Sequence, residues 1–193
     1  MSLPDETLYL DSETLSLNPY NVNAKIITIQ IGKMRKDKTL QIDVYREWEY
    51  KLGESELIMD IIKRLSVLPK YTPIFTYNGL FDLFYLIGRC NKLNFDNEVI
   101  ELLNTIFTST VKHCDLMQYD NGYFISLDKL CIQYKIDSKC VFKGKDINML
   151  YEKKDYNNII SHGEDDIERL YRLVNETNLA DRFYKIQVLK TKW

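Results

Sequence analysis

The sequence predicts an α/β domain with a mixed sheet. Three observations point that way. The first 45 residues hold three strand-like segments whose tight connections favour an antiparallel meander. From Glu54 the apolar residues switch to helical spacing. Beyond that, short apolar runs alternate with helical stretches, as in a sheet covered by helices.

Taken in order, Thr7 to Asp11 alternates apolar and polar residues and reads as a strand. Lys25 to Gly32 is β-branched and apolar, a second strand, and Thr39 to Tyr45 alternates again, with the basic link Lys33 to Lys38 predicting a hairpin. Leu57, Ile58, Ile61, Ile62 and Leu65 place one apolar face on a helix over Glu54–Leu68. Thr72 to Tyr77 is a short buried strand, Asn78-Gly79 a turn, and Leu80 to Cys90 a strongly apolar helix. Asp96 to Phe107 reads as helix and Val111 to Met117 as strand. Ser126 to Tyr134 reads as a short helix opened by a serine cap, and Tyr156 to Asn175 as a long helix. Leu179 to Leu189 is expected to be helical as well. No repeat or linker interrupts the chain, so residues 1–193 are expected to form a single domain.

Composition narrows the function classes. The 26 Lys and Arg against 28 Asp and Glu give a net charge of −2, which excludes a small, strongly basic nucleic-acid binder. With 45% hydrophobic and 12% aromatic residues, the chain is not a charge-repelled disordered segment. No apolar stretch approaches the ~18 residues of a membrane span, and the N-terminus lacks the pattern of a signal peptide. Cys90, Cys114, Cys131 and Cys140 form no CxxC pair, so reduced thiols are expected. The expectation is a cytoplasmic protein, in the host cytoplasm if the chain is viral, with no membrane partner.

Three acidic sites stand at the ends of predicted elements. Asp11 and Glu13 are two residues apart at the end of the first strand, which puts both on one sheet face. Such a pair is tolerable in water or around a divalent cation. Asp82 is the only acid between Tyr71 and Cys90, and it sits beyond the carboxyl end of a strand, where open α/β sheets place ligands. His162 and Asp166 are four apart and share a helix face. The helix puts Asp166 at the edge of its apolar face and turns Asp165 roughly the opposite way, toward solvent. Each site also has an ordinary explanation: a solvated strand end, a helix-dipole acid, a surface pair.

In order, LDSET, YNGLFDLFYL and HGEDDIERLYRL resemble the three motifs of the DEDD superfamily of 3′–5′ exonucleases, nearest to the exonuclease domain of family B DNA polymerases. HCDLMQY and SLDKLCIQYKIDSK are similar to its linking segments, and the resemblance runs from about Thr7 to Asn175. It implies an RNase H-like fold, a mixed five-stranded sheet flanked by helices. It also implies that Asp11, Glu13, Asp82 and Asp166 hold two Mg²⁺ or Mn²⁺ ions about 3.5–4 Å apart. His162 would be the general base, since an imidazole titrates near neutral pH. Thr14, Leu15, Asn78 and Phe81 would hold the terminal nucleotide. The family's tyrosine branch spaces its Tyr four residues before the Asp, and its histidine branch usually spaces its His five before. Here a His stands at the tyrosine-type spacing. The helix face favours Asp166 over Asp165 as ligand, and both stay open.

The activity so implied is removal of nucleoside 5′-monophosphates from a single-stranded 3′ end, DNA favoured over RNA. Partners consistent with it are a single-stranded DNA or RNA end, a second copy of the chain, and a polymerase or repair protein. A catalytically inactive nucleic-acid- or protein-binding module is the alternative, and retention of all four acids argues against it. A third reading keeps the fold but cuts internally. Lys139, Lys143 and Lys145 form a small basic cluster able to follow a strand's backbone. His113 and Cys114 are adjacent on a predicted strand and face opposite sides, so they read as structural.

Overall fold

In the computed structural model, which describes residues 7–35, 37–119 and 125–179, the strands are β1 (Leu8–Thr14), β2 (Ile26–Met34), β3 (Leu40–Arg46), β4 (Thr72–Thr76) and β5 (Val111–Asp115). They form one five-stranded sheet in the order β3-β2-β1-β4-β5. The meander pairs antiparallel: β1 with β2, from Leu8 opposite Lys33 to Thr14 opposite Ile26, and β2 with β3. β1 pairs with β4 in parallel, and so does β4 with β5. The mixed sheet flanked by helices is the one expected.

Strand β1 runs three residues past its predicted end. β2 continues to pair with it there, across a register shift between Glu13 and Thr14. Glu13 is therefore inside a strand rather than on a loop.

Helices α1 (Glu54–Ser66), α2 (Gly79–Lys92) and α3 (Asn97–Thr105) cover one face, and α3 continues into a π turn at Ile106–Thr110. Their apolar stripes meet Leu8, Leu10, Ile29, Ile31 and Ile74 of the sheet. After β5 the chain turns at once into a short helix, α4 (Leu116–Tyr119), so the predicted strand's last two residues are helical instead. α5 (Leu127–Gln133) starts at Ser126, whose hydroxyl accepts the Lys129 N–H at 3.3 Å, as its cap signal implied. The turn at Gly144–Asp146 and α6 (Ile147–Glu152) carried too short an apolar pattern to be read beforehand. α7 (Tyr156–Asn175) has the bounds the periodicity predicted. It packs on the second face, where Ile167, Leu170, Leu173 and Val174 meet Tyr9 and Phe75. Of the expected last helix, residues 180–189 lie outside the described residues. No described helix is long and apolar enough to cross a membrane.

Two glycines set how closely α7 approaches the sheet. A Cβ on Gly163 would lie 2.1 Å from Gln30 Nε2, and a Cβ on Gly32 would lie 2.6 Å from Ile167 Cγ2. On the other face, buried Arg89 of α2 makes a two-pronged ion pair with Glu54 of α1 at 2.7 and 2.8 Å. Glu54 also accepts the Ile26 N–H at 2.7 Å, and Arg89 donates to the Pro19 carbonyl at 2.8 Å. This network ties the loop after β1 to both helices.

Candidate active site

The parallel pairing of β1 with β4 covers only Leu8–Ile74 and Tyr9–Phe75. Beyond Tyr9 the two chains diverge. β1 runs straight on through Asp11 and Glu13, whereas β4 ends at Thr76 and turns into α2. The turn is made at Asn78, which adopts the left-handed conformation (φ 61°, ψ 32°) that Asn tolerates. Asp115, at the end of neighbouring β5, accepts the N–H groups of Asn78 (2.9 Å), Leu80 (3.3 Å) and Met117 (3.1 Å). It thus satisfies donors that the start of α2 would otherwise leave unpaired. Gly79 lies beneath, too close to Thr76 and His113 for a side chain.

The gap is a cleft of about 280 Å³. Alternation along β1 sends Asp11 and Glu13 to the α7 face, next to Tyr9, and Ser12 to the α2 face. There the Ser12 hydroxyl donates to Asp82 Oδ1, holding the α2 carboxylate beside the strand. From α7, Asp166 and His162 reach the same opening. His162 is buried, with Nε2 3.6 Å from Glu13 Oε1 and Nδ1 4.0 Å from Asp166 Oδ1. Nδ1 has no hydrogen-bond partner among the described residues. All five residues singled out from the sequence as the reacting set therefore line one cleft.

Their electrostatics is that of a crowded anionic cluster. Burial, then the charges of Glu13, Asp166 and Asp82, push the Asp11 carboxyl well above the usual range. Burial, then Asp166 and Asp82, do the same to Glu13. Burial raises Asp82 to about 7 even though Ser12 donates to it. Burial also raises Asp166, against the opposing pull of His162 and Arg169. Four carboxyls so placed ionise together only with a compensating charge nearby. The donors are nearly all oxygen, and Glu13, His162 and Asp166 offer ligand atoms within 4.8 Å of one another. Hard divalent cations such as Mg²⁺ or Mn²⁺ fit this set better than zinc.

Asp165 is the main departure from expectation. It does not face solvent. Chain 137–140 folds over that side of α7, and Asp165 accepts hydrogen bonds from Ser138 Oγ and Lys139 N–H, both at 2.8 Å. A helical wheel places a side chain only relative to its own axis, so it could not register this loop. Two further residues were missed. Arg169 is buried beside Asp166 and contacts its Oδ1, and Asp128 of α5 accepts Arg169 Nη1 at 2.5 Å. Arg169 stands three residues after Asp166, so helical spacing could have flagged it. Asp128 carried no such signal.

The expected nucleotide contacts divide. Asn78 and Phe81 line the cleft, and Phe81 also packs on Tyr85 at 5.5 Å between ring centroids. Thr14 and Leu15 lie off its wall. The Thr14 hydroxyl donates to the Ser16 carbonyl at 3.0 Å, and Leu15 packs with Trp48, Phe142, Tyr151 and Tyr156. The basic cluster divides too: Lys143 lines the cleft and pairs with Asp128 at 2.9 Å, whereas Lys139 pairs with Glu168 on the outside of α7. Cys114 sits in the α7-side core, and His113 bonds Thr76 at 2.9 Å, each a structural role.

No protein-family model matches the chain, and no curated protein sequence does. Solved structures of similar fold include a family B DNA polymerase from the hyperthermophilic archaeon Pyrobaculum calidifontis, with TM-score 0.69 at 14% identity over 90% of this chain. Exonuclease I from Methylocaldum szegediense matches with TM-score 0.57 at 13% identity over 96% of this chain. E. coli exonuclease I in complex with a 5cy-dA13 oligonucleotide matches with TM-score 0.55 at 13% identity, again over 96%. The chain spans 24% of the polymerase and 43% of each exonuclease I. At these identities the likeness is one of fold.

Proposed function

We propose that the protein is a metal-dependent 3′–5′ exonuclease that releases nucleoside 5′-monophosphates from single-stranded ends, DNA in preference to RNA. The observation that carries this reading is the convergence of Asp11, Glu13, Asp82 and Asp166, from three different elements, on one cleft beside His162. The order of the motifs and the fold shared with a family B DNA polymerase and with exonuclease I support it.

In this reading Asp11, Glu13, Asp82 and Asp166 would hold two divalent cations, whose chemistry when bound would be to lower the pKa of a water and to offset charge on a leaving oxygen. Asp11 and Glu13 are held rigidly by β1, and Asp82 by Ser12. His162 accepts the proton of the attacking water, with its unpartnered Nδ1 close to Asp166. Asn78 and Phe81 seat the terminal nucleotide: Phe81 offers a face for the base and Asn78 a hydrogen bond to sugar or phosphate. Ser126 and Lys143 also line the cleft.

The test is digestion of 5′-labelled single-stranded DNA, with RNA in parallel, in Mg²⁺ or Mn²⁺. Wild type should yield a descending ladder with mononucleotide product, leave a closed circular single strand intact, and lose activity in Asp11→Ala. No digestion of either polymer with either metal refutes the reading. Cutting of the circle makes the enzyme an endonuclease instead.

A further inference from the structure

Arg169 is a full positive charge, almost wholly buried, at the back of the acidic cleft. Burying a guanidinium is costly unless its donors are matched by acceptors. Here three carboxylates surround it. Nη2 contacts Asp166 Oδ1, Nη1 meets Asp128 Oδ1 at 2.5 Å, and Nε lies 3.1 Å from Asp165 Oδ2 as an ion pair without hydrogen-bond alignment. Two of these acids are themselves anchored. Asp165 holds the backbone at Lys139 and the Ser138 hydroxyl, and Asp128 takes Lys143 on its second oxygen at 2.9 Å. Two hydrogen bonds from Lys143 and Arg169 keep the Asp128 carboxyl below its usual range despite burial. The guanidinium is thus fixed from behind, and its remaining arm ends on the one carboxylate that also faces Glu13 and His162.

We propose that Arg169 is a positioning residue for Asp166. The planar fork, braced by Asp165 and Asp128, takes one Asp166 oxygen and orients the carboxylate for a divalent cation shared with Glu13. Asp128 in α5 is the far brace of the same device. A lysine in its place would keep the charge but not the geometry, because a single ammonium cannot span Asp166 and Asp128 as two guanidinium arms do. The inference rests on the reading of Asp166 as a metal ligand.

The experiment measures Mn²⁺ binding to the full chain from the free-ion EPR signal, alongside thermal melting, for wild type, Arg169→Lys and Asp128→Asn. Substituting a residue that orients a ligand weakens metal binding by about 10–100-fold. We expect roughly tenfold or more weaker Mn²⁺ binding in Arg169→Lys and a smaller loss in Asp128→Asn. A purely structural role lowers the melting temperature and leaves Mn²⁺ affinity unchanged, which overturns the proposal. So does tighter binding in Arg169→Lys, which makes the guanidinium a competitor of the metal. If Arg169→Lys does not fold, Asp128→Asn decides: wild-type affinity there overturns the inference. Wild type that binds no Mn²⁺ sinks both this inference and the nuclease reading, whereas wild type that binds and a variant that binds equally well sinks only the role of Arg169.

Discussion

Gly163→Ala tests whether close approach of α7 to β2 assembles the site. The new Cβ would lie 2.1 Å from Gln30 Nε2, 2.5 Å from Cδ and 2.9 Å from Cγ. Ordinary contact begins near 3.4 Å, so α7 or Gln30 must shift by roughly 1.3 Å. Gln30 is fully buried and its Nε2 donates to Thr28 Oγ1 at 2.7 Å, so it cannot swing into water. Overpacking of this kind costs about 1–3 kcal/mol, and loss of the Gln30–Thr28 hydrogen bond about 1 kcal/mol more. Replacing a helical Gly by Ala returns about 1 kcal/mol of helix propensity. The net is a destabilisation of about 1–3 kcal/mol, or roughly 2–12 °C in melting temperature for a chain of this length. Activity should fall further than stability, because His162 and Asp166 flank the shifted residue and a displacement near 1 Å can cost about 10²-fold in rate. The assay pairs thermal melting with digestion of a labelled single strand. Gln30→Ala removes all three clashing atoms, so the double variant should recover most of both losses. Wild-type melting and wild-type digestion in Gly163→Ala, or no recovery in the double variant, would refute the reasoning.

Without metal, Asp82 holds its proton up to about pH 7 in the folded chain against 3.8 ordinarily, so this group's contribution to stability falls as pH rises from about 4 to 7. Asp11, Glu13 and Asp166 act in the same direction. Metal-free protein should therefore melt lower at pH 8 than at pH 5.5, with Mg²⁺ raising the melting temperature more at pH 8; a Mg²⁺ effect independent of pH contradicts this. Ser12→Ala removes the hydroxyl that holds Asp82 and should weaken Mn²⁺ binding by about tenfold at nearly unchanged stability, read by EPR titration and melting. Arg89→Ala leaves Glu54 buried without its partner and should lower unfolding stability by about 3–5 kcal/mol in a urea titration, whereas a change below 1 kcal/mol would mean the pair contributes little.

Net charge reads differently once the site is known. Setting Asp11, Glu13, Asp82 and Asp166 aside from the 28 acids leaves 24 against 26 basic residues. In the proposed reading two divalent ions would offset the four site charges, and a near-neutral chain would then engage a strand end through metal rather than coat a long duplex with lysines.

Local patterns in the sequence marked most of the elements and the five residues that line the cleft, though not α4, α6 or the turn before it. Period-two alternation made β1 a strand and put Asp11 and Glu13 on one face, and helical periodicity marked α7 from Tyr156 to Asn175 with Asp166 beside its apolar stripe. These are local properties, set by backbone geometry that every residue shares. Only the tertiary structure decided what lies across from each face. It placed Ser12 against Asp82, seventy residues away, and brought α5 to α7 so that Asp128 meets Arg169. It also folded the chain at Ser138 and Lys139 over Asp165, burying a carboxylate that its helix alone turns toward water. Such pairings depend on how separate elements pack, and the periodicity of one segment carries no record of its distant neighbours. The two glycines make the same point: Gly163 looks like a weak spot in a helix until Gln30 is seen beneath it.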